Sequence, residues 1–242
     1  MEYTENAKPI YKRILLKLSG EALAGDKHFG LDFDVITSVC TVIKRCVDAG
    51  VEVGVVVGGG NFWRGLKDGN GKMERARADQ MGMMATVMNS LAVSDVMEQL
   101  GIPVRVMTAI EMGAVAEPYA RLKAVSHLEK GRVVIFGCGT GQPYFSTDTG
   151  AVLRASEIRA DAILLAKNID GVYSADPRKD ASAVKFDEIS YDKVLASHLA
   201  VMDSTATSLA SDNKIPVVVF ALKDPNNIWR VICGEKIGTV VE

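Results

Sequence analysis

Glycines and anion-binding side chains recur where the apolar runs of this chain stop. The stretch Glu52–Gly65, EVGVVVGGGNFWRG, runs out of valines into Gly58, Gly59 and Gly60 and then reaches Arg64. A valine-rich run of this length predicts a buried strand. A strand that ends in glycines lets backbone approach a ligand closely, because no Cβ stands in the way. Free N–H groups there can cradle phosphate oxygens, and the planar fork of Arg64 suits phosphate better than an ammonium does. A tight turn is the competing explanation for one glycine; three in a row followed by Arg favour phosphate. An earlier apolar run, Arg13–Leu18, carries Lys17 among leucines and ends at Ser19-Gly20. A lysine inside such a run needs a partner or a ligand anion, so this strand end is a second phosphate candidate.

A third cluster follows the run Val133–Phe136 and extends from Gly137 to Gly150. Gly137 and Gly139 begin like a dinucleotide fingerprint, but the third glycine, Gly141, comes too early. The hydroxyls carry more information. Thr140, Ser146, Thr147 and Thr149 can bond phosphate or a base, and Asp148 is placed to cap a helix running to Ile158. A fourth cluster, Asn168 to Pro177, combines turn pairs (Asp170-Gly171, Asp176-Pro177) with the aromatic Tyr173. One familiar phosphate motif is excluded. Gly20 and Gly25 have P-loop spacing, but Asp26 and Lys27 follow where Lys and Ser/Thr are required.

These strand ends must be held by a sheet. Asp34 is expected to cap a helix Val35–Asp48, closed by Gly50. The order strand, helix, strand then implies a parallel sheet with right-handed crossovers. Met73–Leu100 reads as one long helix or two abutting ones, with Asp79 near its start and a methionine stripe of Met81, Met83, Met84, Met88 and Met97. Such a stripe is more often core or subunit interface than cofactor site. Asp79 alone reads as a solvated helical carboxylate. Further strands are expected at Val104–Met107, Ala162–Ala166 and Ile215–Phe220, with Trp229–Cys233 and Thr239–Val241 closing the sheet. Helices are expected at Tyr119–Glu129 and Asp203–Asp212, the latter capped by Asp203, with an irregular polar stretch at Lys179–Asp192.

Composition bounds the function. The 242 residues carry a formal charge of −2, which argues against a broad nucleic-acid or membrane surface. The four cysteines have no metal-binding spacing with the three histidines and read as reduced. The polar N-terminus has no signal-peptide core, and no run approaches transmembrane length, so the expected location is the cytoplasm.

Five blocks in order, KLSGEAL, VGGGNFWRG, ARADQMGMMATVMN, GTGQPYFSTDT and DGVYSADP, resemble the amino acid kinase family, and most nearly its bacterial members that phosphorylate UMP. The resemblance implies an α/β fold, a three-layer αβα sandwich with a mainly parallel central sheet. It implies a tail over 1–12 and one domain over 13–242, with a UMP-binding lobe to about 165 and an ATP-binding lobe beyond. The implied activity is transfer of the γ-phosphoryl of ATP, with Mg²⁺, to UMP. By position Lys17, Leu18, Ser19, Gly20, Gly60 and Arg64 would serve ATP phosphates and the transferring group. Asn168, Tyr173 and Asp176 would hold the adenine nucleotide. Gly59 and Asp79 would hold UMP, with Asp79 on the ribose hydroxyls. They would be joined by the loop Thr140, Gly141, Gln142, Pro143, Tyr144, Phe145, Ser146 and Thr147. Lys17, Arg64 and Asp148 would be catalytic, Asp148 organising lysines and metal. The family likeness further implies a homohexamer activated by GTP and inhibited by UTP, with Gly25, Asp26, Lys27, His28, Phe29 and Gly30 as the GTP-responsive loop.

The chemistry fits without the likeness, since phosphoryl transfer asks for positioning and charge neutralisation rather than a nucleophile triad. Two rivals stand beside it. A sibling kinase for a carbamate or amino acid would need an acid or amine site where Asp79 and the Gly139–Thr147 loop stand. A nucleotide sensor or storage protein would not need Lys17, Arg64 and Asp148 intact.

Overall fold

The computed structural model describes residues 7–69, 71–199 and 201–242. Residues 1–6 of the expected tail therefore lie outside the described residues, as does Asn70. The chain begins with β1 (Arg13–Leu18), a one-turn α1 (Gly20–Leu23), α2 (Phe33–Asp48) and β2 (Glu52–Val57). Then come a short α3 (Gly65–Asp68), the long α4 (Arg75–Gln99), β3 (Val104–Thr108), β4 (Glu117–Pro118), α5 (Arg121–Glu129) and β5 (Val133–Gly137). The rest is α6 (Thr147–Ile158), β6 (Ala162–Lys167), β7 (Val172–Tyr173), β8 (Lys185–Phe186), β9 (Glu188–Ile189), α7 (Tyr191–Ala196), α8 (Ser204–Asp212), β10 (Val217–Ala221), α9 (Asn227–Ile232) and β11 (Thr239–Val241).

Nine strands form one sheet in the order β4-β3-β5-β2-β1-β6-β10-β11-β9, and β7 pairs with β8 separately. Every pairing in the large sheet is parallel except β10 with β11. Parallel strands need crossover helices, and those helices bury both faces. One apolar layer joins Ile14, Leu16 and Leu18 to α2, α4 and α9; the other joins Leu15 to α5, α6, α7 and α8. This is the expected three-layer αβα sandwich. The period of two along β1 has a consequence for the site. Lys17 shares its face with Leu15, the face that α6 covers.

Several boundaries differ from expectation. The cap of α2 is Asp32, whose carboxylate accepts from the N–H groups of Asp34 and Val35. Asp34 sits inside the first turn, where a carboxylate also favours the helix dipole. The helix expected from Tyr119 begins at Arg121, because β4 precedes it. The irregular stretch Lys179–Asp192 includes the short strands β8 and β9 and the start of α7. Trp229–Cys233 is not a strand. It falls mostly in α9, whose Ile228, Trp229, Val231 and Ile232 are buried, while the Arg45 guanidinium of α2 stacks 4.2 Å from the Trp229 ring. A short apolar run does not distinguish strand from helix by periodicity alone. Asp203 caps α8 as expected.

Candidate functional site

The carboxyl ends of β2 and β5 open into one cleft of about 260 Å³. That is the end of a parallel sheet where ligands sit. Lys17, Ser19 and Gly20 at the end of β1 do not line the cleft and adjoin it through the glycine turn after β2. Gly59, Gly60, Arg64 and Asp79 line one side; Gly139, Thr140, Gln142, Phe145, Ser146 and Thr147 line the other. A larger hollow of about 640 Å³ lies at the opposite ends of the strands, beside Tyr11, Arg45, Val51 and Trp229.

The two phosphate candidates are one structure. The Gly58 N–H donates to the Leu18 carbonyl at 3.0 Å, so the chain leaving β2 folds onto the chain leaving β1. A Cβ on Gly20 would stand 2.4 Å from the Gly58 oxygen, and one on Gly59 would stand 2.7 Å from the Gly82 oxygen in α4. Gly20 and Gly59 are thus required by close approach, not by positive φ. The amides of Gly59 and Gly60 find no acceptor among the described residues. Such amides at the mouth of a cleft suit an anion.

Two buried side-chain amides, with no local signal in the sequence, hold this turn. Asn61 and Asn89 are fully buried and bond each other's amides reciprocally, at 2.9 and 2.7 Å. Asn89 also donates to the Gly58 carbonyl, and Asn61 to the Gly30 carbonyl. The pair ties the glycine turn to α4 and to the loop Gly25–Gly30. Arg64 forms an ion pair with Glu21, and its Nε donates weakly to the Gly60 carbonyl at 3.5 Å.

Lys17 is buried and its Nζ lies 2.7 Å from Asp148 Oδ1. Asp148 was expected to cap α6. The cap is Ser146, whose Oγ accepts from the N–H groups of Asp148 and Thr149. Ser146 capping frees the Asp148 carboxylate to face Lys17 across the sheet face they share. The Lys17 contact is an ion pair off the hydrogen-bonding direction, so Asp148 Oδ1 remains buried without an aligned donor. A carboxylate oxygen in that condition fits a hard cation or its water shell. No cluster of three or more His, Cys, Asp or Glu side chains stands ready for a metal among the described residues.

Two more charges belong to this group and were missed from sequence. Lys167, at the end of β6, donates to the Val201 carbonyl. Burial pushes its pKa down, Asp148 and Asp203 oppose that shift, and Lys17 adds to it. Asp203 accepts from Ser146 Oγ and from Thr149 Oγ1, the latter at 3.2 Å, while capping α8. The available signal was Lys167 ending an apolar strand, as Lys17 nearly does. Buried lysines beside carboxylates are a functional signature.

The cleft's far wall is a contorted loop. Cys138, Gly139, Gly141 and Tyr144 all have positive φ. Its base is anchored by Arg154 of α6, 5% exposed, which donates to the Gly139 carbonyl and stacks 3.8 Å from the Tyr119 ring. Asp79 meets this loop directly, since its Oδ2 accepts from the Tyr144 N–H at 2.9 Å and from Arg75 Nε at 2.7 Å. Asp79 is therefore not a solvated surface carboxylate. Trp63, Met83, Thr86 and Cys138 also line the cleft without having been expected there. Asn168, Tyr173 and Asp176 do not line it. They lie past the end of β6, where Tyr173 Oη donates to Asp170 and Asp176 pairs with Arg178.

Residues 12–221 match the amino acid kinase family. The chain belongs to that family. Solved structures of family size align over almost its whole length. A UMP kinase from Bacillus anthracis is 41% identical, with 96% of each chain covered and a TM-score of 0.92. A UMP kinase from Ureaplasma parvum is 36% identical, with 96% of this chain and 98% of that one covered and a TM-score of 0.90. A uridylate kinase from Archaeoglobus fulgidus is 29% identical, covering 95% of this chain and 99% of that one, with a TM-score of 0.74. The amino acid kinase fold thus positions every element of the cleft described above.

Proposed function

We propose that this amino acid kinase is a UMP kinase, transferring the γ-phosphoryl of ATP to UMP. One observation carries the reading: in a chain 41% identical to a UMP kinase, a single cleft joins the glycine turn after β2 and Arg64 to a carboxylate, Asp79, and to a hydroxyl-rich loop. Phosphoryl transfer needs positioning and neutralisation of charge on the equatorial oxygens. Lys17, with Arg64 and the Gly59 and Gly60 amides, supplies that charge, and Leu18 to Gly20 shape the turn. Asp148 holds Lys17 in place and offers its unaligned Oδ1 to Mg²⁺ carried in largely by the phosphates. Mg²⁺ when bound neutralises phosphate charge. Asn168, Tyr173 and Asp176 take the adenine nucleotide beyond β6, in a lobe from about residue 166. The Thr140–Thr147 loop and Asp79 take UMP. A coupled assay with ATP and a panel of nucleoside monophosphates tests this. Activity with UMP well above the other acceptors is expected; ATP turnover confined to a carbamate or amino-acid acceptor refutes it.

Asp79→Asn tests the acceptor role. The carboxylate is an acceptor toward Arg75, the Tyr144 N–H and a ribose hydroxyl, whereas an amide must turn its NH₂ toward one of them. The expected result is a KM for UMP raised by about tenfold or more, with the KM for ATP unchanged, because a charge-assisted hydrogen bond is replaced. Equal loss for both nucleotides removes Asp79 from the ribose.

Assembly and regulation complete the reading. Along α4 the side chains of Ala85, Asn89, Val93 and Val96 are buried, while Met81, Met84 and Met88 are 41%, 36% and 51% exposed. Exposed methionines at that spacing form a stripe suited to a partner subunit. A homohexamer is expected, with GTP raising activity through Gly25–Gly30 and UTP lowering it. A tenfold preference of GTP for the active state is worth about 1.4 kcal/mol, within reach of a few loop contacts. Light scattering showing a monomer at assay concentration rejects the assembly. A velocity curve unmoved by GTP at every ATP level rejects the effector role alone. No helix among the described residues is long and apolar enough to cross a membrane; a cytoplasmic site of action accords with the substrates.

A further inference from the structure

Arg75 stands outside the residues that line the cleft, yet three features converge on it. Its Nε donates to Asp79 Oδ2 at 2.7 Å, one helical turn away. The Tyr144 N–H donates to the same oxygen at 2.9 Å, across 65 residues of chain. The Arg75 guanidinium carbon lies 5.4 Å from the centre of the Tyr144 ring. Tyr144 is 68% exposed and has φ of 72°, a left-handed conformation that a bulky residue rarely holds without support. Among the described residues Asp79 supplies its hydrogen bond and Arg75 its cation–π contact. Asp79 Oδ1 points the other way. It lies where a Cβ on Gly65 would come within 2.7 Å, and it has no protein donor among the described residues.

We infer that Arg75 is a positioning residue for the acceptor nucleotide, a role resting on the proposed UMP kinase activity and on Asp79 as the ribose contact. Arg75 occupies one oxygen of Asp79 and leaves the other for the ligand. The (i, i+4) pair fixes the carboxylate's rotamer on the rigid α4, so the free Oδ1 meets the cleft in one orientation. The same oxygen holds the loop at Tyr144, and the guanidinium covers the ring that the strained backbone turns outward. The carboxylate and the loop that closes the acceptor side are therefore set by one side chain. Occupation of the acceptor site and order in the Thr140–Thr147 loop are coupled through it. Among the described residues Lys17, Gly60 and Arg64 make no hydrogen bond or ion pair with this trio, so ATP binding is expected to be little affected by it.

The test uses the full chain with Arg75→Ala, Arg75→Lys, Tyr144→Ala and the Arg75→Ala/Tyr144→Ala double variant. Initial rates are measured with UMP varied at saturating ATP and with ATP varied at saturating UMP. Arg75→Ala is expected to raise the KM for UMP by about tenfold, with the KM for ATP within twofold, because a partly exposed charge-assisted bond and a preset carboxylate are lost. Arg75→Lys keeps the charge without the planar fork and recovers part of the loss. Tyr144→Ala keeps the backbone N–H and raises the KM by about threefold, since only the ring contact goes. The double variant is no worse than Arg75→Ala, because the ring acts through Arg75. Amide exchange at Tyr144, read without nucleotide, is expected to quicken by at least tenfold in Arg75→Ala. An unchanged KM for UMP, an equal rise in both KM values, or an unchanged exchange rate at Tyr144 overturns the inference. A wild-type chain that passes no phosphoryl to UMP overturns the proposed activity instead, and the exchange measurement still decides the role of Arg75 in holding the loop.

Discussion

Lys17→Ala is expected to lower turnover about 10²–10³-fold while the protein stays folded, as is typical when one preorganised donor to a developing oxyanion is removed. The lysine is 8% exposed in the central strand β1 and its Nζ lies 2.7 Å from Asp148. A buried ammonium in a strand is a poor device for stability, because desolvation offsets much of its attraction to the carboxylate. On the proposed reading its value is charge at a fixed point beside the cleft, where negative charge spreads over the transferring group. Removing it takes away an interaction strongest in the transition state, so kcat falls more than the KM for either nucleotide rises. Truncation does not strand Asp148 as an isolated buried anion, since Lys167 remains in the same group of charges. The melting temperature should therefore stay within a few degrees. Steady-state kinetics alongside thermal unfolding checks both halves. Near-normal kcat in a well-folded Lys17→Ala protein removes Lys17 from the reaction, and a collapse in melting temperature makes its role structural.

The parts of this site that the sequence made legible are those governed by one-dimensional rules. Glycines after apolar runs announced strand ends at Gly58 and Gly137, and Lys17 amid leucines announced a buried charge. Periodicity of two in β1 then decides which helix covers Lys17. The missed parts are long-range. Asn61 and Asn89 are 28 positions apart and become a pair only after α4 lies along the end of β2. Asp203 reads locally as a helix cap, and it is one, yet its carboxylate also receives Ser146 and Thr149 from α6. Asp148 shows the converse. As an acidic residue at a helix start it satisfies the rule for a cap, but Ser146 two residues earlier satisfies it too, and only the packing of α6 on β1 shows which is free. Asp79 alone gave no reason to prefer a site over solvent. Its meaning comes from Tyr144, on a loop 65 positions away.

Gly20→Ala is the substitution expected to damage both stability and turnover, and the reason is contact rather than backbone conformation. Gly20 opens the one-turn helix α1 with ordinary helical geometry, so propensity alone would make alanine better by up to about 1 kcal/mol. Packing says the opposite. The added Cβ would stand 2.4 Å from the Gly58 oxygen and 2.7 Å from Asn61 Oδ1. Neither neighbour is the free end of a flexible side chain. Gly58 is held by Asn89 through its carbonyl and by Leu18 through its N–H, and Asn61 is held by Asn89 and by Gly30. Relief therefore requires the turn after β1 and the turn after β2 to part by about 1 Å, judged from the distance at which a Cβ meets an oxygen without strain. Overpacking of this kind costs about 1–3 kcal/mol, or roughly 3–10 °C in melting temperature for a chain of this size. A displacement of about 1 Å between groups that hold a reacting phosphate costs about 10²-fold in rate. Gly113→Ala is the matched control, because a Cβ there meets nothing within 4 Å and its φ is not positive. Thermal unfolding and initial rates of the two variants side by side decide the matter. If Gly20→Ala behaves like Gly113→Ala in both measurements, the two strand ends are not in contact and the single phosphate cradle they form is wrong. If it loses rate but gains stability, helix propensity governs the turn and the rate loss must be traced to the ligand rather than to the packing of Gly20 on Gly58.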